Sequence, residues 1–87
     1  MHPATRLQVL LIEDNPVYTL LLQRWLEADG LAAVTAVDTG EEGLRQAAAH
    51  AWDLVITDVE LPGMSGLALL EAVKAADPWA PVLVVTA

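Results

Sequence analysis

Three carboxylates stand directly after two apolar runs of the sequence. Residues 9–12 are followed by Glu13 and Asp14, and residues 54–57 are followed by Asp58. If the two runs are neighbouring parallel strands, their carboxyl ends meet at one edge of a sheet and the three acids lie close together. Carboxylates at that distance repel one another unless a cation lies between them, and Mg²⁺ is the hard, oxygen-preferring cation that fits. The alternative is that Glu13 and Asp14 are solvated turn residues and Asp58 is an ordinary loop acid.

Residue patterns typical of strands alternate along the chain with patterns typical of helices. The strands and helices that they predict would position these acids. Apolar runs rich in Val, Ile and Leu predict strands, and helical periodicity fills the segments between them. Strands joined by helices form right-handed crossovers, so we predict an α/β fold with a doubly wound parallel sheet, in the order 2-1-3-4. In that order the winding reverses between the first and third strands, where such sheets bind ligands. The predicted strands are residues 7–12, 31–37, 54–57 and 82–86.

Each predicted helix begins at a residue suited to cap it. Asn15 precedes Pro16, Thr39 stands three residues before Glu42 as in a capping box, and Ser65 precedes the third helix. Pro62 and Gly63 predict a turn before that helix. We expect the three tryptophans, Trp25, Trp52 and Trp79, to be packing residues. Each predicted helix has an apolar stripe that is expected to face the sheet. The stripe consists of Tyr18, Leu21, Leu22, Trp25 and Leu26 in the first helix, of Leu44, Ala47, Ala48 and Ala51 in the second, and of Leu69, Leu70, Val73 and Ala76 in the third.

Composition excludes several classes of protein for this chain. The 87 residues are enough for one small domain, residues 1–87, and contain no cysteine for disulfides or thiolate metal sites. The net charge is −8, and the four Lys and Arg residues are scattered, so we expect no direct binding to nucleic acid. No apolar run approaches the roughly 20 residues of a membrane span, and no signal peptide is visible. We therefore expect no membrane association and a cytoplasmic location.

Three segments of the chain resemble the receiver domain of bacterial two-component response regulators. They are residues 10–16 (LLIEDNP), 53–66 (DLVITDVELPGMSG) and 81–87 (PVLVVTA). Each lies at the spacing that this family uses, the second is the most specific, and the resemblance covers essentially the whole chain. It implies a flavodoxin-like fold and a signalling module that is not an enzyme in the usual sense. The implied partner is a sensor histidine kinase or a phosphotransfer protein.

The same resemblance implies a role for each site residue. Asp58 would be the nucleophile that accepts a phosphoryl group from a phosphohistidine. Asp14 would bind Mg²⁺ directly, Glu13 would assist, often through water, and the backbone carbonyl of Val59 would be a further ligand. The hydroxyl of Thr86 would hydrogen-bond a phosphoryl oxygen. The alternative for Thr86 is a β-branched residue that simply ends a strand well.

The resemblance also predicts that the last helix, strand and helix of a receiver are lacking. The family carries a lysine at the end of that strand, and Lys74 cannot replace it because Lys74 falls within the third helix. Residues 82–85 would then form an uncovered apolar edge, which invites pairing with another chain. We therefore expect a homodimer, joined through the fourth strand or by exchange of elements.

Two other functions stay open. In the first, the chain is a structural or oligomerisation module derived from a receiver, which folds and associates but does not switch. Mg²⁺ binding without phosphorylation would favour it. In the second, the chain is a Mg²⁺-dependent phosphatase or phosphotransferase of the haloacid-dehalogenase kind, because Asp58-Val59-Glu60 resembles the Asp-x-Asp motif. That motif normally follows the first strand, and it has a second aspartate where this chain has Glu60.

Overall fold

The computed structural model describes residues 6–85, and their elements alternate as the sequence predicts. The first strand has the predicted bounds, the second and third differ by one residue at one end, and the predicted end of the fourth, residue 86, lies outside the described residues. The elements in chain order are β1 (Leu7–Ile12), α1 (Pro16–Glu27), β2 (Ala32–Val37), α2 (Gly40–Ala49), β3 (Leu54–Asp58), β4 (Glu60–Leu61), β5 (Met64–Ser65), α3 (Gly66–Ala76) and β6 (Val82–Val85).

Four parallel strands form the main sheet, in the order β2-β1-β3-β6. This confirms the predicted order 2-1-3-4, because β6 is the fourth strand of the sequence prediction. Ile12 pairs with Val37 on one side and with Thr57 on the other, so β1, β2 and β3 end at the same level. The residues that follow β1 therefore face the end of β3, as the acidic pattern required.

A small hairpin between β3 and α3 was not predicted. Strands β4 and β5 pair through Leu61 and Met64, and only Pro62 and Gly63 connect them. Gly63 has φ 76°, and proline followed by a positive-φ glycine is typical of a type II turn. Pro62 and Gly63 predicted the turn, but nothing predicted the strands, since two-residue strands are too short for a periodic pattern.

The core lies on both faces of the sheet, and β1 is buried from Val9 to Ile12 because helices cover both of its sides. One face packs against α3, with partial cover from α2. The opposite face packs against α1. The first core cluster contains Leu10, Ile12, Val55, Leu69 and Val73. The second contains Val9, Leu11, Ala32 and Ile56, with Leu22 and Leu26 of α1 packed against it.

The three predicted helix caps are present. The Asn15 side chain accepts hydrogen bonds from the amides of Val17 and Tyr18, and the Ser65 hydroxyl accepts one from the amide of Ala68. Thr39 accepts from the amide of residue 42 at 3.1 Å. The reciprocal half of the predicted capping box does not form. The Glu42 carboxylate instead contacts the side chains of Arg45 and Gln46, which lie on the same face of α2.

Helix stripes predicted to face the sheet are only partly covered. In α1, Leu22 and Leu26 pack on the second core cluster, whereas Tyr18, Leu21 and Trp25 are exposed. In α2, Leu44 and Ala47 pack inward and Ala48 is exposed, while Ala51 lies beyond the end of the helix and is exposed. In α3 the last stripe residue, Ala76, is exposed too. Helical spacing defines which residues share a face, but burial also requires an element that covers that face.

The prediction for the tryptophans is wrong in two of three cases. Trp25 is 80% exposed and Trp79 is 90% exposed. Trp52 packs against the first core cluster, and its indole N–H donates to the backbone carbonyl of Gln46 at 2.8 Å. Within residues 6–85, no helix has the length and apolar character that crossing a membrane requires.

Candidate functional site

Glu13, Asp14 and Asp58 come together at the carboxyl end of the sheet. Each offers a carboxylate oxygen, and these oxygens all lie within 4.8 Å of one another. Glu13 and Asp14 follow the last residue of β1, and Asp58 is the last residue of β3. The pairing of Ile12 with Thr57 sets this meeting, because one further residue along each strand brings Glu13 opposite Asp58. The predicted cluster is therefore present in the fold.

The three acids differ in their exposure to solvent. Glu13 is buried, with 8% of its surface accessible, Asp58 is half-buried and Asp14 is exposed. One carboxylate oxygen of Glu13 accepts a hydrogen bond from the backbone N–H of Asn15 at 3.1 Å. The site thus has a buried side at Glu13 and a side open to solvent at Asp14.

Burial raises the pKa of the Glu13 carboxyl above its ordinary value. The hydrogen bond from the Asn15 amide opposes this effect, and the negative charges of Asp58 and Asp14 add to it. Burial is the largest of these causes, and the two neighbouring acids act in the same direction. Among residues 6–85, the only ion pair between side chains joins Arg45 to Glu42, so neither Lys nor Arg neutralises the cluster in the part of the chain that the structure describes.

The backbone at Asp58 is held by the start of α3. The amide of Gly66 donates to the carbonyl of Val59 at 2.7 Å. A Cβ at residue 66 would lie 2.9 Å from the Val59 Cα and would also overlap the Asp58 carbonyl, so only glycine fits. The Gly66 bond occupies one lone pair of the Val59 carbonyl, which leaves the second for any metal ion. Gly66 is not among the predicted site residues, because its role depends on a contact between two separate segments.

Two further hydrogen bonds define the end of β3. The Thr57 hydroxyl, which is fully buried, donates to the Asp58 carbonyl at 3.0 Å. The amide of Glu60 lies 3.4 Å from an oxygen of the Asp58 carboxylate, and Glu60 itself is exposed. These contacts orient the strand end and leave the Asp58 carboxylate facing Glu13. Of the predicted site residues, Thr86 lies outside the described residues.

The last described strand runs beside the acidic cluster. Val85 pairs with Asp58, and its carbonyl accepts a hydrogen bond from the amide of Val59 at 3.0 Å. A groove of about 410 Å³ opens here, and Glu13 and Asp58 are its two acidic lining residues. Its walls are apolar and come from α1 and β6: Tyr18, Leu21, Leu22, Trp25 and Val85.

Comparison with known proteins places the chain in a family. The family model described as response regulator receiver domain matches residues 9–87. The uncharacterized transcriptional regulatory protein YkoG of Bacillus subtilis is 40% identical over 79 residues, which are 91% of this chain and 34% of YkoG. The chain thus spans about a third of the length of this relative.

Solved structures of similar fold agree with that match. A chain in the crystal structure of histidine kinase ThkA in complex with response regulator protein TrrA is 31% identical, with a TM-score of 0.87, over 93% of this chain and 69% of that one. The receiver domain of a sensor histidine kinase from Pseudomonas aeruginosa, with magnesium ion coordinated in its active site cleft, is 27% identical. Its TM-score is 0.86, over 92% of this chain and 66% of that one. The chain belongs to the response regulator receiver domain family.

Proposed function

We propose that the chain accepts a phosphoryl group on Asp58 from a phosphohistidine, in a reaction that depends on Mg²⁺. The observation that carries this proposal is the cluster of Glu13, Asp14 and Asp58 at the point where the sheet reverses its winding. Three carboxylates without a neighbouring Lys or Arg in residues 6–85 favour a divalent cation. The similar receiver from Pseudomonas aeruginosa, whose cleft coordinates magnesium, supports the choice of ion.

The donor set fits Mg²⁺ because all three groups are hard oxygen ligands. We propose that Asp14 and Asp58 bind the ion directly and that the buried Glu13 assists, through water or directly. The second lone pair of the Val59 carbonyl is a further candidate ligand. When bound, Mg²⁺ neutralises the charge that builds up on the phosphoryl oxygens.

In the proposed reaction, an oxygen of the Asp58 carboxylate attacks the phosphorus atom of the phosphohistidine. The new P–O bond forms as the P–N bond breaks, and the electron pair of that bond returns to the imidazole nitrogen. Asp58 becomes an acyl phosphate. Phosphoryl transfer of this kind needs positioning and charge neutralisation more than further covalent groups. We propose that the Thr86 hydroxyl donates to a phosphoryl oxygen of the product.

The proposed donor is a sensor histidine kinase or a phosphotransfer protein. The support is the similarity to a chain in the ThkA and TrrA complex, in which a response regulator is bound to a histidine kinase. The open side of the cluster at Asp14 gives such a donor access to Asp58, since Asp14 is exposed and Asp58 is half-buried.

Intact mass spectrometry after incubation with acetyl phosphate and Mg²⁺ tests the proposal. The wild type should gain one phosphoryl group, and Asp58→Asn should gain none. Asp77→Asn is the matched control because it makes the same chemical change at the end of α3, where residue 77 accepts a hydrogen bond from the Trp79 amide. Equal labelling of Asp58→Asn and the wild type would contradict the proposal, as would unlabelled wild type with Mg²⁺ bound.

The edge of the sheet at β6 favours a second proposal, that two copies of the chain pair through this strand. The carbonyls of Pro81 and Val85 bond to β3, so the backbone groups of Val82 and Val84 point away from the sheet. Within residues 6–85, no side chain hydrogen-bonds to these outward groups. Leu83 and Val85 are exposed beside them. An unprotected apolar edge of this kind can pair with the same edge of a second copy.

Light scattering coupled to size-exclusion chromatography tests the homodimer. The wild type should have the mass of a dimer at high concentration, and Val84→Pro should be a folded monomer because it removes one outward N–H at an edge position that tolerates proline. Glu71→Ala, at an exposed position of α3, is the control. A wild type that stays monomeric at high concentration contradicts this proposal.

A further inference from the structure

Thr57 is a buried polar residue to which the proposed transfer gives no role. Among residues 6–85, Thr57 and Glu13 are the two buried polar side chains, and Thr57 is fully buried. It lies one residue before Asp58 and pairs with Ile12 across the sheet. A valine would fill the same space without a hydroxyl, and burying a hydroxyl is unfavourable unless it is hydrogen-bonded. The hydrogen bond that this hydroxyl makes therefore indicates what the residue does.

The Thr57 hydroxyl donates to the backbone carbonyl of Asp58 at 3.0 Å. The amides of Val55 and Val59 bond to β6, so the backbone groups of Asp58 point to the opposite side, toward β1. The last pair between β1 and β3 is Ile12 with Thr57, so the Asp58 carbonyl lies beyond the end of that ladder. At this position the side chain of the preceding residue supplies the hydrogen bond.

The peptide group between Asp58 and Val59 is held at both of its polar atoms. Its carbonyl accepts from the Thr57 hydroxyl, and its N–H donates to the Val85 carbonyl at 3.0 Å. The peptide is planar, so fixing both atoms fixes the rotation of the backbone between the two residues. The proposed Mg²⁺ ligands lie on either side of it: the Asp58 carboxylate before it and the Val59 carbonyl after it. The Thr57 hydroxyl therefore helps to set how these two oxygens lie relative to each other.

We propose that Thr57 is a positioning residue for the site: its hydroxyl, through the Asp58 carbonyl, holds the Asp58 carboxylate and the Val59 carbonyl in the arrangement that binds Mg²⁺. This inference rests on the proposed phosphoryl transfer and its metal ion. Thr57 acts through the backbone, without contact with the ion or the phosphoryl group. Metal sites lose affinity when their ligands lose the hydrogen bonds that orient them.

Two substitutions separate the hydroxyl of Thr57 from its shape. Thr57→Val removes the hydroxyl and keeps the volume, whereas Thr57→Ser keeps the hydroxyl and removes a methyl group. Calorimetric titration should show Mg²⁺ affinity roughly tenfold lower in Thr57→Val and close to that of the wild type in Thr57→Ser. Labelling by acetyl phosphate at a limiting Mg²⁺ concentration should slow by a similar factor in Thr57→Val. Thr35→Val makes the same chemical change at an exposed position of β2 and is the matched control.

Urea unfolding of the same variants distinguishes positioning from packing. Thr57→Ser should be less stable than the wild type, because it deletes a buried methyl group, and should still bind Mg²⁺ and become labelled. A role in packing alone predicts the opposite order at the site, with affinity lost in Thr57→Ser and kept in Thr57→Val. That order would overturn the proposal, as would equal Mg²⁺ affinity in Thr57→Val and the wild type. Circular dichroism should show folded Thr57→Val, since valine favours strands. An unfolded Thr57→Val would assign the hydroxyl to the fold and also overturn the proposal.

The wild type in the same experiment separates this proposal from the proposed function. If the wild type binds Mg²⁺ but is not labelled, the proposed transfer fails, and the Mg²⁺ affinities of the two Thr57 variants still decide the role of the hydroxyl. If the wild type is labelled and Thr57→Val behaves identically, the positioning role alone fails. A wild type that binds no Mg²⁺ would overturn both.

Discussion

Gly66 lies against the backbone of Asp58 so closely that residue 66 has no room for a side chain. Its amide holds the neighbouring carbonyl of Val59 at 2.7 Å, so the first residue of α3 supports the strand end that carries the proposed phosphoryl acceptor. Ser65 fixes this helix start by accepting a hydrogen bond from Ala68. The position of the Asp58 carboxylate thus depends on a helix as well as on its own strand.

Replacing Gly66 with alanine should therefore both destabilise the protein and displace the site. The added Cβ has to move backbone, and overpacking of this kind costs about 1–3 kcal/mol of unfolding free energy. Urea unfolding measures the loss, and calorimetric titration should show weaker Mg²⁺ binding. Gly63→Ala is the control: it strains a positive-φ position with open space around it, at a cost of roughly 1–2 kcal/mol. Mg²⁺ affinity that falls equally in both variants would contradict this account.

Removing one carboxylate from the cluster should stabilise the metal-free protein. Asp58→Asn relieves repulsion among oxygens that lie within 4.8 Å of one another. If the relief is about 1 kcal/mol, the melting temperature in chelator should rise by about 4–8 °C. Mg²⁺ should raise the melting temperature of the wild type and not that of Asp58→Asn, because a ligand stabilises only the state that binds it. Glu71→Gln, at an exposed position of α3, should behave as the wild type. Unchanged melting in Asp58→Asn, with and without Mg²⁺, would mean that the acids do not interact.

Stability in chelator should fall as pH rises, and Glu13 should cause part of this fall. Burial raises the folded-state pKa of Glu13 above its ordinary value of 4.5, so the folded protein binds the proton more tightly than the unfolded chain. The contribution of Glu13 to stability is fully present below pH 4.5. It is lost as pH rises through the higher folded-state pKa. Glu13→Gln keeps an acceptor for the Asn15 amide and does not titrate, so urea unfolding across this range should show a smaller loss of stability with pH than in the wild type. Parallel curves for the two proteins would count against a raised pKa.

The cap of α1 should contribute to stability without contributing to the site chemistry. The Asn15 side chain accepts from the amides of Val17 and Tyr18, at 2.9 and 3.3 Å. Asn15→Ala leaves both amides without this partner and should lower the unfolding free energy by about 1 kcal/mol. Asn15→Ser should retain most of the unfolding free energy that this cap contributes. Labelling by acetyl phosphate should be unchanged in both variants, because the bond from residue 15 to Glu13 comes from the backbone amide. Loss of labelling in both would show that the side chain acts on the site.

Local signals in the sequence predict the order of the elements and the proximity of the three acids. These features depend on local signals: the apolar runs of β1 and β3, the caps at Asn15, Thr39 and Ser65, and the general topology of strands joined by helices. Parallel strands end at a common edge of the sheet. Once the strand order is known, the residues that follow the two apolar runs are therefore expected to lie side by side. Family resemblance added roles for Asp58 and its neighbours, which spacing alone does not assign.

The tertiary structure sets which residues of each apolar pattern become buried and which make close contacts. Helical spacing placed Leu21 and Leu22 in one apolar stripe of α1, yet only Leu22 packs on the sheet. No local signal marks Gly66, and only its approach to Asp58 shows that a side chain is excluded there. No local signal pairs Glu27 with Val34 either, although the Val34 amide donates to the Glu27 carboxylate in the fold. The local pattern defines which residues share a face of a helix or strand. Burial, close contact and hydrogen bonding depend instead on segments that are distant in the chain and that only the fold brings together.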